Sequence, residues 1–403
     1  MIINKKNIAI ISDSYPFGQT ETFLENEIEF LSTYFNISVF PILKKNKDDV
    51  PRIVPKGVTF YAPIVQKNPF KRILKGIFNL SPIYLYIKEL PKLWKESNDK
   101  KQSLLQWFLY LITYRSICSS PRFKDIWKIK DLEVVYFYWC NFPIRLLNTI
   151  NNKKIYIRVH GGEVDLLRHK GYIPLLFYKL SNEYKYLPIS QKSASLLSHG
   201  GITNMQLSRL GVYDHGLNPE SNDSFIRIVS CSNLIPLKRV HLILMALKEL
   251  KKEKVEWIHF GDGPLMNDLI QKSLYLPDNI NVKFFGRIDN KLVIDFYKNN
   301  HVDLLINVSE TEGIPVSIME AFSFGIPCFA TDVGGTSEIV KHNFNGFLAP
   351  KDFPINVLVN FISKIKSSSV EFEYRKNAKE TWGNNYNAQN NYKDLVNLFL
   401  SMS

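Results

Sequence analysis

The stretch from Val302 to Val340, VDLLINVSETEGIPVSIMEAFSFGIPCFATDVGGTSEIV, constrains the fold more than any other part of the chain. Val302 to Val308 is a short apolar run of the kind buried in a parallel sheet. Ser309 to Ile314 is a polar loop, and Pro315 suits a helix start, where its missing N–H is no loss. Gly325 ends that helix, Pro327 prevents its return, and Cys328 to Thr331 forms the next strand. A strand–helix–strand unit puts Ser309–Ile314 at the carboxyl edge of a parallel sheet, where open α/β sheets bind ligands. The amides near Val316 and Ser317, at the positive end of the helix dipole, favour an anion such as phosphate.

Two carboxylates flank that anion site. Glu312 precedes the helix and Glu320 lies inside it, about a turn and a half further on. A carboxylate is a poor ligand for phosphate but a good acceptor for paired sugar hydroxyls. Taken alone, the two glutamates also suit an ordinary surface helix. The wider arrangement favours amides for phosphate and carboxylates for hydroxyls, the chemistry of a nucleotide sugar.

The same alternation runs through the whole second half. Strands at Arg227–Ser230, Glu256–Phe260 and Val282–Phe285 alternate with helices at Val240–Lys251, Pro264–Leu274 and Lys291–Lys298, a doubly wound α/β pattern. Polar groups follow each strand: Asn233 to Arg239, then Gly261-Asp262-Gly263-Pro264, then Gly286-Arg287. All of them converge on the edge that carries Glu312. The first half reads similarly, with strands at Asn7–Ser12, Ile37–Phe40, Val134–Tyr138, Lys154–Val159 and Tyr186–Ile189. It has helices at Thr22–Phe35, Pro143–Ile150 and Ser190–Ser198, and a largely helical stretch from Phe70 to Trp127. His160 stands at a carboxyl strand end, before Gly161-Gly162, which let backbone approach a ligand. Arg158 and Arg168 are weaker candidates that balance Glu163 and Asp165 equally well.

Glu312-Gly313, Glu320-Ala321, Gly325-Ile326-Pro327, Asp332-Val333-Gly334-Gly335, Glu338 and Asn345-Gly346 occur in that order. This series resembles the donor-binding half of retaining glycosyltransferases of family 4, whose pattern is two glutamates separated by seven residues. The resemblance implies the GT-B fold: α/β, two Rossmann-like doubly wound domains facing a cleft. It covers most of residues 5–385 and is strongest in the second half. It implies that Glu312 and His160 contact the transferred sugar, that Glu320 binds ribose and that Lys238 grips the diphosphate. Gly313, Ile314, Val316, Ser317, Gly261, Gly263 and Arg287 complete the donor-side set. The family's arginine position is Asn233 here, a departure for which Arg239 or the helix amides would compensate. Tyr15-Pro16-Phe17-Gly18, with Thr20-Glu21-Thr22-Phe23 and Glu27-Ile28, resembles the amino-terminal signature of members that build bacterial surface polysaccharides. A plain strand-to-helix turn explains Pro16 and Gly18 equally well. Gly18 and Arg158 are the acceptor-side candidates.

Domain boundaries follow from composition. The polar, breaker-rich Gly211–Ser224 separates an amino-terminal domain (1–213, with linker 214–224) from a carboxyl-terminal one (225–385). The resemblance implies that the helix near Tyr386–Phe399, within 386–403, returns to the first domain. Cys118, Cys140, Cys231 and Cys328 are scattered without metal or disulfide spacing, the pattern of reduced thiols in a cytosolic protein. Residues 1–12 do not read as a signal peptide, and no run approaches the ~20 apolar residues of a spanning helix.

The formal charge is +13, and it is uneven. Val65 to Lys130 carries 14 Lys and Arg against four Asp and Glu, interleaved with aromatics including Trp94 and Trp107. That pattern suits an anionic membrane surface. The expectation is a cytoplasmic, peripheral, metal-independent enzyme. It would move sugar from a UDP- or GDP-sugar to a lipid-linked saccharide with retention. A nucleotide-sugar epimerase of similar fold and a basic nucleic-acid-binding protein are the alternatives, the latter without a recognised nucleic-acid module.

Overall fold

A computed structural model describes residues 5–401 apart from 19–20, 45, 47, 66–82, 141–153, 167–168, 170–172, 174–183 and 367. The expected helix at Pro143–Ile150, Arg168 and the basic residues Lys71, Arg72 and Lys75 lie outside the described residues. The chain divides into two compact units, Met1–Ser208 with Tyr392–Ser403, and Arg209–Asn391.

The first unit is built on a six-stranded parallel sheet. Its strands are β1 (Lys6–Ser12), β2 (Phe35–Pro41), β3 (Val58–Phe60), β4 (Leu132–Phe137), β5 (Lys154–Val159) and β6 (Lys185–Pro188). Their order is β3-β2-β1-β4-β5-β6. β1 reads as continuous apolar sequence because Ile8, Ala9, Ile10 and Ile11 are buried between two layers. One layer is the helix Thr22–Ser32, which buries Leu24, Glu27, Ile28 and Leu31 at helical spacing. The same face receives Leu395, Val396 and Phe399 of the helix Ala388–Leu400. Tyr156 Oη donates to the Leu398 carbonyl at 3.0 Å. The opposite face packs Ile117, Phe123 and Ile126, with Trp107 and Trp127 partly buried against them.

The second unit repeats the plan with β7 (Phe225–Cys231), β8 (Lys254–Phe260), β9 (Ile280–Phe284), β10 (Leu304–Asn307), β11 (Cys328–Thr331) and β12 (Gly346–Ala349). The order is β12-β11-β10-β7-β8-β9, again with every recorded pairing parallel. The stretch read as linker belongs to this unit. The Asn218 side chain donates to the carbonyls of Tyr297 at 2.6 Å and Asn300 at 2.8 Å, and accepts from the Val302 amide at 2.8 Å.

In both sheets the chain starts in the middle. β1 lies between β2 and β4, and β7 between β8 and β10. Loops leaving the two central strands therefore diverge and open a crevice at their carboxyl ends, the position where doubly wound sheets bind ligands.

Candidate functional site

In the second unit the loops after β7 and β10 meet at that crevice. Pro236–Lys238 form a single 3-10 turn, and Lys238 Nζ donates to Glu312 Oε1 at 2.6 Å. The same carboxylate oxygen accepts from Ser309 Oγ at 2.6 Å and from Asn307 Nδ2 at 3.3 Å. A lysine from one strand end and a glutamate from the other are thus joined across 74 residues of sequence. Lys238, Glu312 and the polar loop beginning at Ser309 follow from the sequence pattern, whereas Asn307 was not singled out. Its signal was present, since it is the polar last residue of the strand Leu304–Asn307.

The helix after Glu312 runs from Val316 to Ser323, with Pro315 as its N-cap and no side-chain cap. Its opening amides, Val316 and Ser317, therefore keep their expected place at a helix amino terminus. Gly325 has φ of 72°, the left-handed terminator its sequence position predicts. The loop holding Glu312 and Gly313 is braced by Gly334 and Gly335. A Cβ on Gly334 would stand 1.7 Å from the Glu312 carbonyl oxygen, and the Gly335 amide donates to the Gly313 carbonyl at 2.7 Å. The double glycine is required by this backbone approach. Ile314 is buried beside it.

Glu320 is buried inside the helix, and Asn290 Nδ2 donates to its Oε1 at 2.7 Å. Burial pushes the Glu320 carboxyl up to about 7, opposed by the Asn290 hydrogen bond. Asn290 opens the helix Asn290–Asn299 and was not singled out in the sequence.

The remaining donor-side candidates sort differently. Gly261 and Gly263 serve packing: a Cβ at either would stand 1.9 Å from the Ser232 carbonyl oxygen or 2.4 Å from that of Leu234. They let the loop after β8 lie against the loop after β7. Arg239, which with the helix amides was one of two groups expected to compensate for Asn233, ties the loops after β7 and β10 together. Its Nε donates to the Val308 carbonyl at 2.9 Å and a terminal nitrogen to that of Ser309 at 3.4 Å. The cation beside Asn233 is Arg287, which donates to Asn233 Oδ1 at 3.2 Å.

In the first unit His160 follows β5 and stacks on Trp139, with ring centroids 4.0 Å apart. Tyr138 meets the imidazole edge-on at 4.9 Å. The Glu163 carboxylate accepts the His160 amide at 2.9 Å and lies 3.5 Å from His160 Nδ1. Burial alone would raise the Glu163 carboxyl, but the bonds and charge from His160 hold it below the usual range. Gly18 adopts φ of 71°, and a Cβ there would approach Asp49 Oδ2 at 3.2 Å.

Arg158 has a different setting from the one expected. It is fully buried and pairs with Glu27 at 2.9 Å, not with Glu163 or Asp165. Its Nε donates to Tyr136 Oη, and Tyr136 Oη donates to Glu27 Oε1 at 2.7 Å. That places Arg158 in the layer between the sheet and the helix Thr22–Ser32. Among the described residues, His301, Asp303 and Glu371 form one grouping that could hold a cation. It lies at the amino end of β10, opposite the Glu312 edge. Its groups bind one another and their neighbours: His301 to Asp303 at 2.8 Å, and Glu371 to Arg375 at 2.9 Å.

Residues 218–382 match the family model described as glycosyl transferases group 1. Among curated proteins, the chain is 27% identical to the amylovoran biosynthesis glycosyltransferase AmsK of Erwinia amylovora over 55% of this chain and 58% of that one. It is 29% identical to the UDP-Gal:alpha-D-GlcNAc-diphosphoundecaprenol alpha-1,3-galactosyltransferase of Escherichia coli, over 35% of this chain and 36% of that one. The aligned segments thus span between about a third and three fifths of these relatives. The whole chain superposes on solved structures. The lipopolysaccharide outer core galactosyltransferase WaaB gives a TM-score of 0.65 at 18% identity, covering 98% of this chain and 99% of that one. Sucrose-phosphate synthase from Thermosynechococcus elongatus gives 0.69 at 15% identity, covering 98% of each chain. Anabaena HepE in complex with UDP-glucose gives 0.61 at 15% identity, covering 98% of this chain and all of that one. The fold is GT-B.

Proposed function

We propose that this chain is a glycosyltransferase of bacterial surface-polysaccharide assembly that uses a nucleotide-sugar donor. The observation that carries this reading is the Lys238–Glu312 pair at the crevice between β7 and β10, with an uncapped helix start and buried Glu320 beside it. A diphosphate placed there would meet Lys238 and the Val316 and Ser317 amides. Those groups stabilise the charge that develops on the departing nucleoside diphosphate. Glu320 would accept ribose hydroxyls, and Glu312 would face the sugar. Arg287, standing beside Asn233, supplies the second cation that position 233 lacks. By the family resemblance His160 also contacts the sugar, and transfer proceeds with retention. No metal takes part in this reading, because lysine, arginine and amides supply the positive charge. The relatives and the superposed structures carry glycosyltransferase, synthase and polysaccharide names, and neither the epimerase nor the nucleic-acid alternative is favoured.

The donor would be a UDP- or GDP-sugar and the acceptor a lipid-linked saccharide. The UDP-sugar has support in the HepE complex, and the acceptor in the diphosphoundecaprenol relative. Attachment to an anionic membrane would bring acceptor to enzyme. Among the described residues no helix is long and apolar enough to cross a membrane. The helix Lys100–Cys118 instead presents exposed Leu105, Phe108 and Leu109 beside exposed Lys100 and Lys101, and Trp94 on the preceding helix is also exposed. Trp107, the other tryptophan named with Trp94 in the basic segment, packs partly buried against the core.

The test is a panel of UDP- and GDP-sugars, with and without lipid extract, read as released nucleoside diphosphate. One donor should be consumed faster with lipid, and EDTA should leave the rate unchanged. Glu312→Gln should slow it on the order of 10²–10³-fold, as loss of a group acting in the transition state does. Absence of turnover with every donor, or a requirement for added manganese or magnesium, would contradict the reading.

A further inference from the structure

The loop after β1 carries a carboxylate with an unusual set of partners. Glu21 Oε2 accepts from the Ser14 amide at 2.7 Å, the Tyr15 amide at 2.7 Å and Ser14 Oγ at 3.2 Å. Its Oε1 accepts from the Asp13 amide at 3.0 Å and from Trp139 Nε1 at 2.7 Å. Three successive amides form a concave nest suited to an anion, and the chain fills it with its own side chain. Glu21 does so from a left-handed backbone, φ 60°, where glycine would sit without strain. The glutamate is therefore explained by its carboxylate, not by the turn.

The Trp139 bond gives this carboxylate a reach beyond its loop. Trp139 follows β4, and β1 and β4 are the neighbours between which the first sheet's crevice opens. The indole held by Glu21 is the one on which His160 stacks, at 4.0 Å and 32°. From the other side, Glu163 holds the His160 amide and the Cys140 amide, the latter at 3.4 Å. The imidazole is thus set by two carboxylates, Glu21 through an aromatic plate and Glu163 through the His160 amide and a 3.5 Å approach to Nδ1. Nothing in ordinary packing needs an indole N–H bonded to a carboxylate that already fills a nest.

We propose that Glu21 and Trp139 are positioning residues, which fix the His160 imidazole in the orientation it uses against the sugar. This rests on the proposed glycosyltransferase function for its catalytic meaning, but the orientation itself is a separate fact. Glu21→Gln keeps the shape while turning an amide N–H2 toward backbone and indole N–H groups that can only donate. Glu21→Gly relieves the left-handed backbone and removes the carboxylate. A purely conformational role for position 21 would be kept by glycine, whereas the positioning role is lost in both variants.

Three readouts decide it. In turnover, both variants and Trp139→Phe should lower kcat, by on the order of 10²-fold for Glu21→Gln, with donor KM nearly unchanged. In a His160→Ala background, Glu21→Gln should add less than about a twofold loss, since residues acting as one unit are not additive. Full additivity, or unchanged kcat in Glu21→Gln, would overturn the proposal. The third readout needs no activity: the imidazole C–H resonances of His160, shifted by the stacked indole, should move in Glu21→Gln and in Trp139→Phe. If Trp139→Phe moves them and Glu21→Gln does not, Glu21 does not set the ring. Failure of every donor to turn over in the unaltered protein would contradict the proposed function and leave the resonance test to decide the orientation.

Discussion

Single residues carry the sharpest expectations. Burial lifts the Glu320 carboxyl from 4.5 to about 7. A carboxyl with a raised folded value supports folding while protonated and withdraws that support as pH rises from its unfolded to its folded value. A shift of this size on a buried group is on the order of 3 kcal/mol. Glu320→Gln does not ionise, so its melting temperature should match the unaltered protein near about pH 4 and exceed it near about pH 8. An equal gap at both values would show that Glu320 is not the titrating group. Arg158 illustrates the opposite lesson. A charged residue at a carboxyl strand end reads as a site, because nothing local reveals that Glu27, 131 positions earlier, lies above it. Removing one partner of a buried ion pair costs about 3–5 kcal/mol. Arg158→Ala should therefore lose stability by that amount in chemical denaturation, and a loss below about 1 kcal/mol would contradict the buried pairing.

At the scale of elements, the strand pattern was legible where sequence and burial agree. Continuous apolar runs such as Ile8–Ile11 and Leu304–Ile306 mark strands covered on both faces. β3 and β12 escaped notice because they are short, at three and four residues, and β12 begins with a glycine. In the second unit the candidate site was legible as Lys238, Glu312 and Glu320, from their residue types and their places after a strand or within the following helix. What sequence could not supply was distance: Trp139 over His160, Arg287 beside Asn233, and Asn290 against Glu320 each join separate elements. The packing of two loops also gives a test. Gly334 has φ of 61°, and a Cβ there would stand 1.7 Å from the Glu312 carbonyl oxygen, so Gly334→Ala must displace the loop that carries Glu312. A misplacement near 1 Å can cost on the order of 10²-fold in rate. Donor turnover in Gly334→Ala should fall by about that factor in protein that remains folded by circular dichroism, and an unchanged rate would show that the loop is not braced there.

For the whole molecule, two doubly wound units account for a chain of this length, and the charge of +13 is the feature on which the proposed membrane attachment rests. Each basic residue near an anionic membrane contributes about 1 kcal/mol, weakened by salt. Lys100→Glu with Lys101→Glu should reduce sedimentation with anionic vesicles, and Phe108→Ser should reduce it further. Equal binding to neutral vesicles would leave those residues as a solvated face. The central claim, however, concerns the crevice between β7 and β10, and calorimetric titration of UDP and GDP tests it most directly. The account predicts that one of them binds the unaltered protein and that Lys238→Met weakens it. The loss of a charge-assisted bond of about 1.5–3 kcal/mol sets that weakening at roughly 10- to 100-fold. Glu312→Gln should keep affinity within about threefold, because the nucleotide does not need that carboxylate. Binding that survives Lys238→Met undiminished, or no binding of either nucleotide by the unaltered protein, would contradict it.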